Sequence, residues 1–165
     1  VAIATGNDGQ VLTSTGAGSP PAFETPAGGG KILQVSSIVL GATNQLIATT
    51  SYTDLTNMSI NITPTSSSSK ILVVAFVYVK LGDAEGFGVR IERGSTDIYS
   101  TPTYSILADA SPMVELYTGA GFQTIDSPNT TSQVTYKLGA STHDNKQVNF
   151  SPAVASYMYL MEIGA

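Results

Sequence analysis

The sequence has no cysteine, no tryptophan and one histidine, His143. Without cysteine there are no disulfides, thiolate metal sites or cysteine nucleophiles, whatever the compartment. Charge is scarce as well: 12% of residues are charged, against about 25% in an ordinary soluble domain. The seven basic residues, Lys31, Lys70, Lys80, Arg90, Arg93, Lys137 and Lys146, are scattered through a chain of net charge −5. That leaves no basic groove for a nucleic acid, which needs clustered positive charge. No apolar run reaches the length of a membrane-spanning helix, and Val1 onward does not read as a signal peptide. We therefore expect no membrane insertion. The start at Val1, without a methionine, suggests a piece of a longer chain.

Solubility has to come from hydroxyl groups, of which serine and threonine supply 39. At 165 residues a folded chain buries roughly 70% of its unfolded surface, enough for one core and a short appendage. With so few charges the surface has little to resist self-association, and an obligate oligomer is expected.

Residues 1–30 differ from the rest. They contain Gly6, Gly9, Gly16, Gly18 and the run Gly28-Gly29-Gly30, with Pro20, Pro21 and Pro26. Proline removes a backbone donor and glycine adds chain entropy, so neither a long helix nor a central strand fits. One strand-like piece, 10–14, lies inside this shaft or linker, and the glycine run reads as a joint. The folded domain is expected over residues 31–165.

From Lys31 onward the pattern is period two between turns. Strands are expected at 32–40, 50–63, 70–81, 86–93, 112–126, 132–138, 146–150 and 156–163. In the second, Tyr52, Met58, Ile60 and Ile62 share a face. Phe87, Val89 and Ile91 alternate with Gly88, Arg90 and Glu92, while the 112–126 run is broken by Gly119 and Gly121. Turns are expected at 93–96, 127–130 and 143–145. No apolar stripe has helical spacing. The fold class is all-β, an antiparallel sandwich or jelly roll. One longer loop, 99–113, is a candidate contact surface.

The strand Ile71-Leu72-Val73-Val74-Ala75-Phe76-Val77-Tyr78-Val79 is apolar on both faces, whereas an antiparallel sandwich strand normally shows one face to water. Ile71, Val73, Ala75, Val77 and Val79 can line the core. Leu72, Val74, Phe76 and Tyr78 then need cover, either from a loop of the same chain or from a neighbouring subunit; the subunit is the better reading. The last strand repeats the theme, with Tyr157, Tyr159, Met161 and Ile163 opposite Met158 and Leu160.

The segment GNDGQVLTSTGAGSPPAF, Gly6 to Phe23, resembles the GxxGQVLTSxGxGxPxW segment of phage tail-fibre proteins, including those of many marine phages. Phe23 stands where that family usually has tryptophan, which keeps an aromatic anchor. The KILQV start, the SSSSKILV approach to the long strand and the terminal MEI also look like distal domains of that group. The resemblance implies a homotrimeric fibre in the virion with a distal β-domain facing the host. In a parallel trimer, glycines let three backbones approach the axis, and Val11, Leu12 and Phe23 can fill it. With Leu72, Val74, Phe76 and Tyr78 these are the expected trimer contacts. Expected partners are further copies, other virion tail proteins and a host glycan or surface protein. Attachment at the head or baseplate is not separated from the tail by this reading.

Catalysis finds little support. His143 lies in a polar turn with Asp144 and Asn145, with no nucleophile or metal-ligand spacing to accompany it. Glycoside hydrolysis needs two carboxyls across a groove, and the nearest pairs, Asp83 with Glu85 and Glu92 with Asp97, read as turn acids. Asp83 and Glu85 also match no calcium-loop pattern. We expect no enzyme, no cofactor and no metal. For receptor contact, exposed aromatics and short polar groups matter most. The candidates are Tyr99, Tyr104 and Tyr117 in or beside the long loop, and His143, Asp144 and Asn145 in the turn. A carbohydrate-binding sandwich acting as a monomer is the main alternative; a small glycoside hydrolase is the third.

Overall fold

The computed structural model describes residues 5–25, 31–82, 86–103, 106–107, 115–151 and 153–164. Among them there is no α-helix. The strands are β1 (Val11–Thr13), β2 (Ala22–Glu24), β3 (Ile32–Leu40), β4 (Gln45–Ile47), β5 (Thr53–Ile62), β6 (Lys70–Leu81), β7 (Gly86–Arg93), β8 (Thr96–Ser100), β9 (Ile106–Leu107), β10 (Leu116–Asp126), β11 (Val134–Thr142), β12 (Val148–Phe150) and β13 (Ser156–Ile163). A 3-10 turn, His143–Asn145, joins β11 to the segment before β12.

The antiparallel pairs are nested: β3 with β13, β5 with β11, β6 with β10, and β7 with β8. Successive pairs fall alternately in two sheets, and β13–β6 and β11–β7 pairing closes each sheet. The result is a jelly roll, a long antiparallel ribbon rolled over on itself. The large sheet runs β3-β13-β6-β10, and the small one runs β5-β11-β7-β8. β10 pairs with β6 from Ile71 to Leu81, so β13 and β12 share the other edge of β6. β4 extends the large sheet beyond β12, and β9 pairs with β7.

The core follows from period-two geometry, in which every second side chain points inward. Ile71, Val73, Ala75, Val77, Val79 and Leu81 of β6 are completely buried. They meet Phe87, Val89 and Ile91 of β7, Tyr136, Leu138 and Ala140 of β11, and Met158 and Leu160 of β13 within one cluster. Phe87 meets Phe150 edge-on at 5.5 Å between ring centroids. Each such aliphatic contributes about 1.5–3 kcal/mol by leaving water.

The expected class and the long strands hold, with local differences. On β5, Lys137↔Ser59 gives way to Gly139↔Asp54, so two steps on β11 oppose five on β5. Asn57 sits in this bulge at φ 63. The bulge resets the alternation and turns Leu55 into the core, where Tyr52 was expected to share the face of Met58. β10 is unbroken at Gly119 and Gly121, because a sheet interior needs hydrogen-bonded backbone rather than side chains at those points. Tyr99, expected in or beside a long loop, lies in β8 and packs its ring against Phe122 of β10 at 6.3 Å. β11 runs four residues past the expected Leu138. β2 and β4, three residues each, were not anticipated.

Candidate interaction surfaces

Three surfaces stand out, and the first is the N-terminal hairpin. β1 pairs with β2 through Val11↔Glu24, Leu12↔Phe23 and Thr13↔Ala22. Thr13 Oγ1 donates to Glu24 Oε2 at 2.8 Å and Thr15 Oγ1 to the Pro20 carbonyl at 2.7 Å, which closes the connecting loop. The Phe23 ring lies against Gly6, where an added Cβ would come within 2.4 Å of Phe23 Cγ. Only glycine allows that approach. Val11 and Leu12 remain 45% and 51% exposed. An isolated two-stranded hairpin is marginal in water, and this one leaves apolar side chains without cover from the described residues.

The second surface is the outer face of the large sheet. Leu72, Val74, Phe76 and Tyr78 of β6 are half-buried on this side. Register places Tyr157, Tyr159 and Met161 of β13 beside Phe76, Val74 and Leu72. It then places Val39, Ser37 and Val35 of β3 beside those three. On the other flank Gly121, Gln123 and Ile125 of β10 lie opposite Phe76, Val74 and Leu72. Phe76 stacks on Tyr157 at 5.2 Å and 14° between planes, and Tyr157 meets Tyr159 at 5.3 Å. Phe76 also lies over Gly119, whose missing Cβ leaves the slot its ring occupies. The half-burial of this face thus comes from neighbours in the same sheet. Val35, Val39 and Ile125 stay 56–59% exposed. At one end Tyr78 and Tyr117 lie 6.4 Å apart, with Lys80 over the Tyr117 ring and ion-paired to Glu115. That pairing, chiefly the hydrogen bond from Lys80, holds the Glu115 carboxyl below its ordinary value.

The outer face of the small sheet is polar. Arg90 reaches Glu92 at 3.1 Å, Asp97 at 3.5 Å and Asp54 at 3.9 Å, and its guanidinium lies 5.1 Å from the Tyr52 ring centre. Lys137 Nζ donates to Asp54 at 3.1 Å, and Thr135 to Asn61 at 2.7 Å. Burial pushes the Glu92 carboxyl above its ordinary value, Arg90 pulls it down, and Asp54 and Asp97 push it back up. Glu92 and Asp97, considered as a carboxylate pair for glycoside hydrolysis, are cross-strand partners here and share one arginine. Asp83, Glu85 and Tyr104 lie outside the described residues.

The turn candidates lie together. Asp144 and Asn145 adopt φ 50 and 55, the left-handed region that asparagine and aspartate tolerate best. Asn145 Oδ1 accepts from the Thr50 amide at 3.1 Å, and His143 Nδ1 faces Asp144 at 3.4 Å. Tyr117 is 46% exposed at the rim of the large sheet, and Tyr99 is half-buried. The turn and the two tyrosines thus belong to different parts of the molecule. Among the described residues no group of three or more His, Asp or Glu side chains could hold a metal ion.

Two buried polar groups escaped the sequence reading. Glu162, in the terminal MEI, has no exposed surface. Its Oε1 accepts from the Thr65 amide and hydroxyl, both at 2.7 Å, and its Oε2 from Gln34 at 2.6 Å. Burial alone would raise its pKa, but these hydrogen bonds outweigh that and hold it at about 2. The other group is the Tyr136 hydroxyl, which donates to Asp126 at 2.7 Å, while Arg93 holds the same carboxylate at 3.2 Å. Burial, then this hydrogen bond, pushes the Tyr136 pKa far up. The clue to Glu162 was available, since it continues the inward phase of Met158 and Leu160.

No protein-family model and no curated protein sequence matches the chain. Solved structures do resemble it in outline. A chain in the structure of infectious bursal disease virus, Gx strain, aligns over 92% of this chain and 38% of its own length, at 10% identity and TM-score 0.49. The VP2 subviral particle of the same virus gives 92% and 37%, 12% identity and TM-score 0.48. The insecticidal delta-endotoxin Cry8Ea1 of Bacillus thuringiensis gives 73% and 20%, 12% identity and TM-score 0.39. This chain therefore spans well under half of each. Likenesses at this level carry no functional argument.

Proposed function

We propose that this chain is a structural protein of a phage virion, a segment of a homotrimeric tail fibre whose jelly-roll domain contacts the host surface. The observation that carries the reading is the N-terminal hairpin. Its sequence resembles the tail-fibre segment, and its geometry gives that pattern a physical reason. Gly6 lies against Phe23, the position of the family's tryptophan, and Val11 and Leu12 are left exposed. Three parallel copies would cover those side chains along an axis. The role is structural and adhesive, with no chemistry assigned to any side chain; host contact falls to loops such as the His143 turn.

Sedimentation equilibrium of the purified chain tests the assembly, with a trimer expected at micromolar concentration; a monomer there refutes it. Competition tests attachment: the free protein should block phage adsorption to host cells, and no block at saturating protein refutes a receptor role. A carbohydrate-binding module acting as a monomer is the second reading. Jelly rolls serve in lectins as well as capsids, and the exposed Tyr117 ring beside Tyr78 offers a stacking surface. Glycan-array binding by a monomer would decide for it.

A further inference from the structure

We propose that the outer face of the large sheet is the surface through which copies of this chain pack together, each turning that face toward a common threefold axis. The proposal rests on the trimeric reading above and adds which surface makes the contact.

The two outer faces of the sandwich differ in kind. The small sheet's face carries Asp54, Arg90, Glu92, Asp97 and Lys137. The outward positions of β3, β13, β6 and β10 carry no aspartate or glutamate among the described residues. The chain has twelve acidic residues and seven basic ones, so a copy-to-copy contact is favoured where like charge is absent. Lys80 at one rim is matched by Glu115 on the same copy, which leaves that rim locally neutral.

Size points the same way. Register lays β13 along β6 from Lys70 to Phe76, so four strands at about 4.8 Å spacing and six steps at about 3.4 Å span roughly 390 Å². That is the size of the largest apolar patches that monomers expose, about 300–600 Å², which often serve as contact surfaces. Shape adds a notch. Phe76 fills the slot over Gly119, whereas among the described residues nothing stands within 4 Å of the Cβ position at Gly121, which is open surface. A neighbouring copy can approach the sheet backbone there.

A sugar is a poorer occupant. The rings of Phe76, Tyr157 and Tyr159 pack on one another, and Val35, Val39 and Ile125 surround them. A sugar site needs polar groups converging among its aromatics, whereas Ser37 and Gln123 stand at opposite ends of the row Ser37, Tyr159, Val74 and Gln123. β3, at the margin of this face, is also the first sandwich strand after the hairpin. In this arrangement Tyr117 becomes a subunit contact, and the charged small-sheet face and the His143 turn point away from the axis.

The test is sedimentation of the intact chain beside Val74→Lys and Tyr159→Glu, with Thr135→Lys on the opposite sheet as control. Wild type and control are expected as trimers, and both face variants as monomers with association at least tenfold weaker. Face variants that stay trimeric overturn this face but leave the trimeric reading standing. A wild-type monomer overturns both. Hydroxyl-radical footprinting of the wild type needs no variant to fold. Tyr157, Tyr159 and Met161 should be protected at assembling concentrations and labelled on dilution, with Tyr52 as an unchanging reference. Equal labelling at both concentrations overturns the proposal.

Discussion

Replacing Glu162 with glutamine should cost the fold about 2–3 kcal/mol at neutral pH, and the cost should vanish in acid. The folded pKa of about 2 against an ordinary 4.5 is a difference of about 2.5 units. At about 1.36 kcal/mol per unit this gives roughly 3 kcal/mol, trimmed because the sealed carboxylate lies close beneath the surface. Hydrogen bonds to a charged group, worth about 1.5–3 kcal/mol each, allow that size. Glutamine at this position can keep its amide oxygen on the Thr65 amide and hydroxyl, but its NH2 then faces the Gln34 NH2, donor against donor. Because folding lowers the pKa, the stability is fully present above about pH 4.5 and is lost as pH falls through about 2. Urea denaturation of both proteins, at one fixed chain concentration, should show the gap at pH 7 and its closure between pH 4.5 and 2. A variant within about 0.5 kcal/mol of wild type at pH 7, or a gap independent of pH, would refute the reasoning.

Other perturbations test the sandwich. Gly88→Ala puts a Cβ 2.5 Å from the Pro102 carbonyl oxygen and 2.8 Å from that of Thr101. Both are backbone atoms, so the cost should be about 2–3 kcal/mol, seen as a melting temperature lower by roughly 5–10 °C; an unchanged Tm counts against the packing. Tyr136→Phe removes a donor from the nearly buried Asp126 carboxylate and should cost about 1–2 kcal/mol in urea denaturation. Asn57→Gly should be nearly neutral, and Asn57→Val should cost about 1–2 kcal/mol, because only the β-branched residue resists positive φ; equal stabilities of the two variants would remove the bulge from the account.

What could be read from the residues was what depends on nearest neighbours two apart. The inward set Ile71 to Leu81 and the trio Phe87, Val89, Ile91 were legible because alternation survives in any antiparallel sheet. The bulge at Asn57 was not, since one asparagine among polar residues carries no mark of left-handed backbone. β10 looked broken because glycine is scarce in strands, yet Gly119 is there to seat the Phe76 ring. The cluster of Asp54, Arg90, Glu92, Asp97 and Lys137 joins four strands, and only cross-strand register brings residues so far apart in sequence together. Of the expected contact residues, His143, Asp144 and Asn145 do form one turn. Tyr99 and Tyr117 part company because β8 and β10 lie in different sheets.

The two-sided strand β6 posed a question that alternation cannot answer, namely what covers Leu72, Val74, Phe76 and Tyr78. Cover by a loop of the same chain would bring them near the zero exposure of their inward neighbours. They are half-buried instead, among side chains of the neighbouring strands such as Tyr157 and Tyr159, and exposure rises toward the margins at Val35, Val39 and Ile125. Among the described residues no loop lies across this face, and its apolar margins stay open on both flanks. Scarce charge fits the same pattern. A chain with few charged residues has grouped five of them on the small sheet and has placed no described acid among the outward residues of the large one. Such a partition costs solubility in a monomer and stabilises an assembly that hides the apolar side between Lys70 and Lys80. Introducing lysine at Val74 should therefore separate the copies while leaving each sandwich folded.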